Sequence, residues 1–390
     1  MASDFSTGDN STSTTGQFES SVELQTWFRA LPSGAKVASV GRGTKLVREL
    51  VNGGSVKVAG SDLYFADITG LSGIVAYDPT EFLLTAKAGT PMRDIVQALE
   101  EHGQFLPSDP CQLDEGATLG GTLAAGISGP ARLLYGSLRD FVMEIEFLDG
   151  LGNLVRGGGK VVKNAAGFDF PKLMVGSLGR LGVITEATLK VFPRPAATAT
   201  IVVRPESVQQ AIHVAQALQG QPVPLNGITI NCAQSTQMFV QVASPEASLL
   251  ATSERVEAII TSVDGSLSVE RIARSDEETQ HNELAQQVFV FPGRPVVRTC
   301  QSPGKVAELD EQLARLGLPR QYWSAGEVCW IDASSISCDE LDETLKQLSV
   351  SGLRFPLSFD DSCRIGATDW LAGANRLKSA LDPDGRFPDY

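Results

Sequence analysis

Glycine and small residues are concentrated in two stretches of the sequence where the backbone itself could hold a ligand. The first reads EGATLGGTLAAGISGP (115–130), and the second, VGSLGRLGVITE (175–186), leads into an alternating run. Each glycine inside a regular element costs roughly 1 kcal/mol relative to alanine, so a cluster of them needs a reason. Close approach of the backbone to a ligand is one reason, and free amides at a helix start can face an anion. We interpret these stretches as half of a cofactor cradle.

A polar turn with two glycines follows a predicted strand earlier in the chain. Residues 36–40 alternate like a strand, and the turn GRGTK (41–45) follows directly. The Rossmann pattern would need a glycine where Leu46 stands, and a P-loop would need four residues between its first glycine and G-K-[ST]. The residues alone therefore leave two interpretations open, a phosphate-binding turn and an ordinary strand–turn–strand corner.

Length and composition restrict the class of protein. A chain of 390 residues is too long for one ordinary core, so we expect two domains. The net charge of −14 argues against nucleic-acid binding and against electrostatic docking on anionic lipid. No run approaches the roughly 18 continuous apolar residues of a membrane span. The polar residues 1–17 have no apolar region of a secretory signal, and we interpret them as a flexible tail.

The cysteines and histidines argue against a metal centre in this chain. The six cysteines are scattered without any C-x-x-C pair, which is the spacing that zinc sites and iron–sulfur clusters use. The three histidines are too few for a histidine-rich site. We therefore predict no metal ligands, a free and partly buried thiol at Cys111, and a reduced cytoplasmic compartment.

Beyond residue 195 the pattern of elements changes. Alternating and helical runs follow the order β-α-β-β-α-β, which is typical of a ferredoxin-like α+β layer. We find no nucleophile–base pair in this region, and the catalytic residues stay unassigned. The predicted strands begin at 201, 227 and 238, the helices of this layer cover 206–219 and 245–263, and further helices cover 307–317 and 339–350.

Several blocks of the sequence resemble the flavoprotein family built on the vanillyl-alcohol oxidase and p-cresol methylhydroxylase FAD domain. The blocks are 77–91, 115–130, 136–142, 162–186, 189–195 and 381–387. The resemblance implies an α+β fold with a two-subdomain p-cresol-methylhydroxylase-type FAD-binding domain and a ferredoxin-like α+β cap domain. The implied boundaries are a tail at 1–17, the FAD-binding domain at 18–195, the cap domain at 196–370, and a C-terminal segment at 371–390 that returns to the FAD domain.

The same resemblance implies which residues bind the cofactor. The 41–45 turn corresponds to backbone that meets the FAD pyrophosphate, and the 118–121 segment is a second phosphate-facing stretch. Asp140 matches an acid that braces the fold. The implied cofactor-binding residues are Gly41, Arg42, Gly43, Thr44, Lys45, Pro107, Ser108, Thr118, Gly120, Gly121, Ser128, Gly129, Gly182, Val183 and Ile184.

Two departures from the family pattern shape the expected function. The 41–45 turn has neither the histidine nor the cysteine of covalent members, which implies non-covalent FAD. The histidine-rich, metal-associated motif of relatives that oxidise D-2-hydroxy acids is also missing. We therefore expect an FAD-binding subunit of a glycolate (2-hydroxy acid) oxidase or dehydrogenase complex. A second FAD-containing subunit would remove the hydride and an iron–sulfur subunit would carry electrons onward; contact with the inner membrane through such partners stays open.

Two alternatives remain open on the residues. The chain could be a self-sufficient FAD-dependent oxidoreductase of another hydroxy acid or alcohol. Its cap arginines would then clamp a substrate carboxylate, although solvated surface positions are the simpler interpretation of these residues. The chain could also be a structural subunit with a vestigial FAD site, which the intact glycine pattern argues against. The arginines in question are Arg294, Arg298, Arg354 and Arg364.

Overall fold

The fold is described from a computed structural model. It covers residues 15–46, 56–58, 61–159, 168–232, 235–272, 294–357, 363–368 and 371–389. The resemblance block at 162–167 and His281 therefore lie outside the described residues. No helix in these ranges has the length and apolarity that crossing a bilayer requires.

Helices and strands alternate through the described residues. The helices are α1 (Ser21–Ala30), α2 (Met92–Glu100), α3 (Leu119–Ala125), α4 (Arg132–Tyr135), α5 (Leu138–Phe141), α6 (Phe170–Met174), α7 (Val208–Gln219), α8 (Leu249–Val263), α9 (Val306–Arg315), α10 (Cys338–Gln347) and α11 (Leu371–Leu381). The strands of the first half are β1 (Thr15–Gln17), β2 (Lys36–Val40), β3 (Val56–Val58), β4 (Ser61–Asp67), β5 (Ile74–Asp78), β6 (Leu83–Lys87), β7 (Gln104–Phe105), β8 (Val142–Leu148), β9 (Leu154–Gly158), β10 (Val183–Lys190) and β11 (Phe192–Pro193). Those of the second half are β12 (Ala197–Arg204), β13 (Leu225–Cys232), β14 (Thr236–Ser244), β15 (Ser268–Arg271), β16 (Val296–Cys300), β17 (Arg320–Trp323), β18 (Val328–Asp332), β19 (Ser351–Phe355) and β20 (Arg364–Gly366).

The first half of the chain has two larger sheets that share one core, and a two-stranded sheet formed by β7 and β11. In the smaller of the two sheets that share the core, β4 pairs with β1 and β2 in parallel and with β3 in antiparallel fashion. The larger sheet is antiparallel with the order β5-β6-β10-β8-β9. Apolar side chains of both sheets, α1, α2 and α3 bury one another in a single cluster. The ends of β2 and β10 and the helix α3 are thereby held next to each other.

The second half is one nine-stranded antiparallel sheet built from two copies of the same arrangement. The first unit, β12-α7-β13-β14-α8-β15, matches the predicted order β-α-β-β-α-β. The second unit, β16-α9-β17-β18-α10-β19, repeats that order, which the sequence analysis did not recognise. The strand order β15-β12-β14-β13-β17-β18-β16-β19-β20 places the units in mirror order, joined where β13 pairs with β17.

The two faces of this sheet have different neighbours. Apolar residues of the helices and of one sheet face form a common core, which includes Ile201, Val240 and Ile331. Residues of the opposite face in the second unit, such as Trp330 and Phe355, pack with residues of the first half. The second unit therefore contacts the half of the chain that carries the glycine-rich stretches.

Some local predictions need correction. Residues 15–17, predicted as tail, form β1, because their backbone pairs with Phe65, Ala66 and Asp67 of β4. Thr90 does not cap α2, since its hydroxyl donates to the carbonyl of Lys87 at 2.7 Å and the helix starts at Met92. Asp140 does brace the fold, as predicted, because its carboxylate caps α5 by accepting from Ser137 N–H at 2.8 Å.

The core of the second unit can be tested with a matched pair of leucines. Leu345 on α10 is fully buried, whereas Leu250 on α8 is 60% exposed. We expect Leu345→Ala to lower the free energy of unfolding by about 2–5 kcal/mol, because it opens a cavity. Leu250→Ala should change the same quantity by no more than about 0.5 kcal/mol. Urea denaturation followed by circular dichroism measures both, and equal losses would contradict the proposed core.

Candidate functional site

A cleft lies where β2, α3 and the start of β10 meet. It encloses about 800 Å³ of space, part of which is open to solvent. Most of the residues predicted from the sequence line it. They are Gly41, Arg42, Gly43, Thr44, Lys45, Thr118, Gly120, Gly121, Gly182 and Ile184.

The glycine turn, residues 41–46, forms one wall of the cleft. It begins where β2 ends, and the carbonyl of Val40 accepts its last sheet bond from Ile68 N–H at 2.9 Å. Gly43 has a φ of 66°, and its carbonyl accepts from Leu46 N–H at 3.0 Å. Within the described residues, the N–H groups of 41–45 donate no hydrogen bond. Such a run of donors beside a cleft can bind an anion.

The side chains of the glycine turn add positive charge to these donors. Lys45 is only 8% exposed, and its Nζ donates to Thr44 Oγ1 at 3.3 Å. Neither Arg42 nor Lys45 has a carboxylate partner in the described part of the chain. Two uncompensated cations in a chain of net charge −14 concentrate anions at this wall.

The glycine turn and α3 approach so closely that glycine is required. A Cβ added to Gly41 would lie 2.4 Å from Thr118 Oγ1. Thr118 caps α3 by accepting from Gly121 N–H at 3.3 Å, so its hydroxyl cannot swing away without loss of the cap. On the other side of the helix, a Cβ on Gly120 would lie 2.8 Å from the Cβ of Ala88. The small residues are therefore required by contacts on both sides of α3.

The start of α3 does not offer the free amides that the sequence analysis expected. Leu119 N–H donates to Thr90 at 2.9 Å, and Gly120 N–H donates to Ala88 at 2.7 Å. Gly121 N–H is the cap donor to Thr118. These donors are satisfied because α3 starts against β6 and its following turn. Helix α3 therefore contributes a bare backbone surface, and the free donors belong to the glycine turn.

The second glycine-rich stretch forms the opposite wall. Leu178 and Gly179 have φ values of 56° and 72°, so the chain turns sharply twice before β10. Leu178 N–H donates to the carbonyl of Ala124 at 2.9 Å, which fastens this loop to α3. Gly182 packs against the carbonyl oxygen of Leu148, which would lie 2.6 Å from a Cβ added to this glycine. Both Val183 and Ile184 were predicted to bind the cofactor. Ile184 lines the cleft, whereas Val183 is fully buried in the core.

The remaining predicted residues form a second group outside the lining of the cleft. Gly129 N–H donates to the carbonyl of Ser108 at 2.9 Å, which brings the loop of Pro107 and Ser108 against that of Ser128 and Gly129. Ser128 Oγ accepts from Leu138 N–H at 2.8 Å. The hydroxyl of Ser108 is fully buried and has no partner among the described residues.

Nine of the residues that line the cleft were not predicted, and two of them, Arg180 and Leu357, make contacts that bear on the site. Arg180 is the charged residue inside the stretch GSLGRLG, so its position among glycines could have identified it. Leu357 belongs to the segment after β19, and its N–H donates to the carbonyl of Lys45 at 2.8 Å. Leu357 carries no local signal, because more than 300 residues separate it from the turn that it contacts.

Two buried cysteines, Cys111 and Cys363, lie near the cleft. Cys111 is 7% exposed, and burial raises the pKa of its thiol although Lys45 acts in the opposite direction. Cys363 Sγ accepts from Arg180 Nη2 at 3.1 Å. Both thiols are free, as predicted for Cys111. Among the described residues, no group of three or more histidine, cysteine or acidic side chains could hold a metal ion.

Part of the chain matches a known protein family. Residues 17–158 match the family described as FAD binding domain, and this region carries the glycine turn and α3. The orphaned amides, the two cations and the glycine contacts fit an extended, anionic dinucleotide. The chain thus carries an FAD-binding domain, and its cofactor is FAD.

Three known proteins are similar in sequence to part of the chain. The chain is 44% identical over 182 residues to the glycolate oxidase subunit GlcE of Escherichia coli (strain K12), which covers 47% of this chain and 51% of that protein. It is 35% identical over 138 residues to the glycolate oxidase subunit GlcD of Bacillus subtilis (strain 168), which covers 35% and 29% respectively. A D-lactate dehydrogenase of Anaerostipes hadrus is 32% identical over 181 residues, covering 46% and 35%. The chain spans about half or less of each of these proteins.

A solved structure is similar in fold to nearly the whole chain. An alkyldihydroxyacetonephosphate synthase superimposes with a TM-score of 0.66 over 96% of this chain and 76% of that one. The sequence identity is 15%, so this likeness concerns the fold alone. It confirms the expected mixed α and β architecture.

The close contact at Gly41 generates a direct test of the cleft. We expect Gly41→Ala to weaken FAD binding at least about tenfold, because the new Cβ forces the glycine turn away from Thr118. Flavin fluorescence titration measures the dissociation constant. Gly304→Ala is the matched control, since an added Cβ meets nothing within 4 Å there. Equal affinities in the two variants would contradict the placement of FAD against this turn.

Proposed function

We propose that the chain is the FAD-binding subunit of a glycolate (2-hydroxy acid) oxidase or dehydrogenase complex. The observation that carries this proposal is the 44% identity with a glycolate oxidase subunit, which falls together with an intact FAD-binding domain. A second glycolate oxidase subunit and several D-lactate dehydrogenases are also related to the chain. Glycolate and D-lactate share the 2-hydroxy acid group, which supports this substrate class.

Within the cleft, we assign the diphosphate of FAD to the glycine turn. The N–H groups of 41–45 would donate to its oxygens, and Arg42 and Lys45 would supply the countercharge. Gly120 and Gly121 would let the cofactor lie against bare backbone, and the 182–184 segment would contact it from the opposite side. FAD supplies the redox chemistry when bound, and the chain holds, orients and shields it.

The second group of predicted residues stays in the proposed site. Pro107, Ser108, Ser128 and Gly129 would border the flavin end of the cofactor. The buried hydroxyl of Ser108 without a partner among the described residues supports this, because an orphaned buried polar group is expected to have a ligand or water beside it. The attachment should be non-covalent, since the glycine turn has neither histidine nor cysteine and burial raises the pKa of the Cys111 thiol, which keeps it neutral.

We propose that the nine-stranded sheet is a cap domain at 196–370 over an FAD domain at 18–195. The antiparallel order β15-β12-β14-β13 within the first unit supports the ferredoxin-like description, and the second unit has the same order. The contact of Leu357 with the glycine turn supports a cap that touches the cofactor domain. Residues 371–390 would return to the FAD domain.

The proposed partners follow from the relatives and from the cysteine pattern. The names of the relatives describe subunits, which supports a second FAD-containing subunit as the catalytic partner. An iron–sulfur subunit would accept the electrons, because this sequence has no paired cysteines to hold a cluster. The complex would work in the cytoplasm, at the inner membrane if its partners bind there.

The visible spectrum of the purified chain tests the cofactor assignment. We expect flavin absorption in the purified protein and its complete release into the supernatant on acid precipitation, because the glycine turn lacks the histidine or cysteine that covalent attachment would use. Flavin that stays in the pellet would refute non-covalent binding. A chain that remains colourless after incubation with FAD would instead support the structural-subunit alternative.

One observation favours the alternative of a self-sufficient oxidoreductase. Arg298 extends from β16 toward α3, where its Nη1 donates to the carbonyl of Gly126 at 3.2 Å. Burial lowers the pKa of Arg298, and nearby Arg132 acts in the same direction. No carboxylate pairs with it in the described part of the chain. A partly buried cation in this position could hold the carboxylate of a small acid.

The other arginines considered from the sequence are less suited to this role. Arg294 is exposed and pairs with Asp332 at 3.3 Å. Arg354 lies opposite Val297 in the sheet, so it shares the face that the helices cover. Arg364 belongs to the edge strand β20. Arg298 is therefore the best candidate of the four.

A panel of 2-hydroxy acids assayed with the isolated chain and a dye acceptor separates the two proposals. The subunit proposal predicts no turnover without partners, and steady turnover by the isolated chain would refute it. If turnover occurs, Arg298→Met should raise KM at least tenfold because it removes the cation, while Arg294→Met should leave KM unchanged. Equal effects of both variants would exclude Arg298 as the carboxylate-binding residue.

A further inference from the structure

An ion pair is buried beneath the cleft, in the segment that closes the described chain. Lys378 of α11 is 7% exposed and Asp382 is 2% exposed. Lys378 Nζ donates to Asp382 Oδ2 at 2.6 Å and to the carbonyl of Phe387 at 2.9 Å. Its third donor reaches the carbonyl of Arg180 at 2.9 Å. All three ammonium protons of this lysine are therefore used.

Asp382 is equally well satisfied, so the segment around the pair has a fixed shape. Its carboxylate accepts from Arg386 N–H at 2.7 Å and from Phe387 N–H at 2.9 Å, which folds the 382–387 turn onto the helix end. Gly150 packs against Asp382, since an added Cβ would lie 2.3 Å from Oδ1. The hydrogen-bond donors and acceptors around Lys378 and Asp382 are therefore matched to one another in one specific arrangement.

The same segment holds β2, which leads into the glycine turn. The carbonyl of Arg386 accepts from Val37 N–H at 2.6 Å. The guanidinium of Arg386 donates to the carbonyls of Ala35 and Phe28, and it stacks over the ring of Phe28. Phe387 is fully buried in the same core. Residues 371–389, which we call the return segment, thus support one wall of the cleft from behind.

The contact of Lys378 with Arg180 supports the opposite wall. Arg180 lines the cleft, between Gly179 with its left-handed backbone and Gly182. Sharply turned backbone of this kind needs tertiary contacts to stay in one conformation. Lys378 supplies such a contact by fixing the orientation of the Arg180 carbonyl. One buried ammonium group therefore connects the return segment to the loop that faces the cofactor.

A buried ion pair contributes little net free energy to the stability of a core. Desolvation offsets much of the attraction, and apolar residues of similar volume often serve equally well. Burial lowers the pKa of Lys378, which reflects this desolvation. A role in orientation accounts for a lysine with three directed hydrogen bonds better than a role in stability alone.

We propose that Lys378 is a positioning residue for FAD and that docking of the return segment is thermodynamically coupled to FAD binding. The inference rests on the proposed location of FAD in the cleft. Because coupling is reciprocal, the docked segment strengthens FAD binding and FAD holds the segment docked by the same factor. Neither effect requires Lys378 to touch the cofactor.

Substitution of Lys378 tests the positioning role. We expect Lys378→Met to raise the dissociation constant of FAD about tenfold, because the Arg180 carbonyl loses its donor and the loop gains alternative conformations. The control is Lys36→Met, which removes an equal charge from β2 and breaks its ion pair with Asp389 on the same segment without reaching Arg180. Flavin fluorescence titration gives both constants.

The melting temperatures of the variants, with and without FAD, separate positioning from plain stabilisation. A purely structural role would lower both values for Lys378→Met and leave the dissociation constant unchanged, and that result would overturn the inference. If the wild-type chain binds no FAD at all, the proposed function fails, and the inference fails with it. Wild-type binding with an unaffected variant would refute the inference alone.

The wild-type chain provides a second test that does not depend on a variant. Trypsin cleavage after Lys378 and Arg386 requires the return segment to open, because Lys378 and Phe387 are buried. With FAD at 100 times its dissociation constant, we expect mass spectrometry to show cleavage at these sites slowed at least tenfold. Cleavage after Arg315, exposed on α9, is the control and should slow less. Equal rates with and without FAD at the return segment would contradict the coupling.

Discussion

The cleft depends on three places where a glycine lies too close to a neighbouring residue to carry a side chain. The glycine turn meets α3 at Gly41, and α3 meets the turn after β6 at Gly120. At its far end α3 meets the 176–182 loop, where an added Cβ on Gly126 would lie 2.8 Å from the Cα of Gly176. These contacts fix α3 between two loops, and the space left between the loops is the cleft. The glycines are thus needed for the protein's own packing before any cofactor arrives.

As a result of this packing, the walls of the cleft differ in the hydrogen-bond donors and charges that they offer. The first N–H groups of α3 donate to the carbonyls of Thr90 and Ala88. The helix therefore offers the cleft a backbone surface with few free hydrogen-bond donors. The glycine turn keeps its amides and carries Arg42 and Lys45, so it presents charge and donors. A dinucleotide with two phosphates and two flat ring systems needs both kinds of surface. The arrangement explains why a chain with a strong net negative charge can bind a polyanionic cofactor.

The sequence predicted the first half of the chain better than the second, for a physical reason. Glycine at a close contact is irreplaceable, so the stretches that contain 118–121 and 182–184 could be singled out by residue type, whereas the 41–45 turn was assigned only through the family resemblance. The doubling of the β-α-β-β-α-β unit was missed because its strands are short and their apolar residues can be exchanged freely. Leu357 and Lys378 could not have been found at all, since each acts through a contact with residues distant in the chain. Helix α3 was recognised, but the use of its amides depends on neighbours that the sequence does not reveal.

The long-range bonds at the ends of the cleft also set an order for biosynthesis. The carbonyl of Lys45 is bound by Leu357 N–H, and Val37 N–H is bound by the carbonyl of Arg386. During translation the N-terminal half leaves the ribosome well before either partner exists. Its β2 edge and glycine turn therefore stay incompletely bonded while the whole nine-stranded sheet is made. Completion of the cleft is consequently a late event, and a nascent chain of the first half has an unprotected sheet edge until translation is nearly finished.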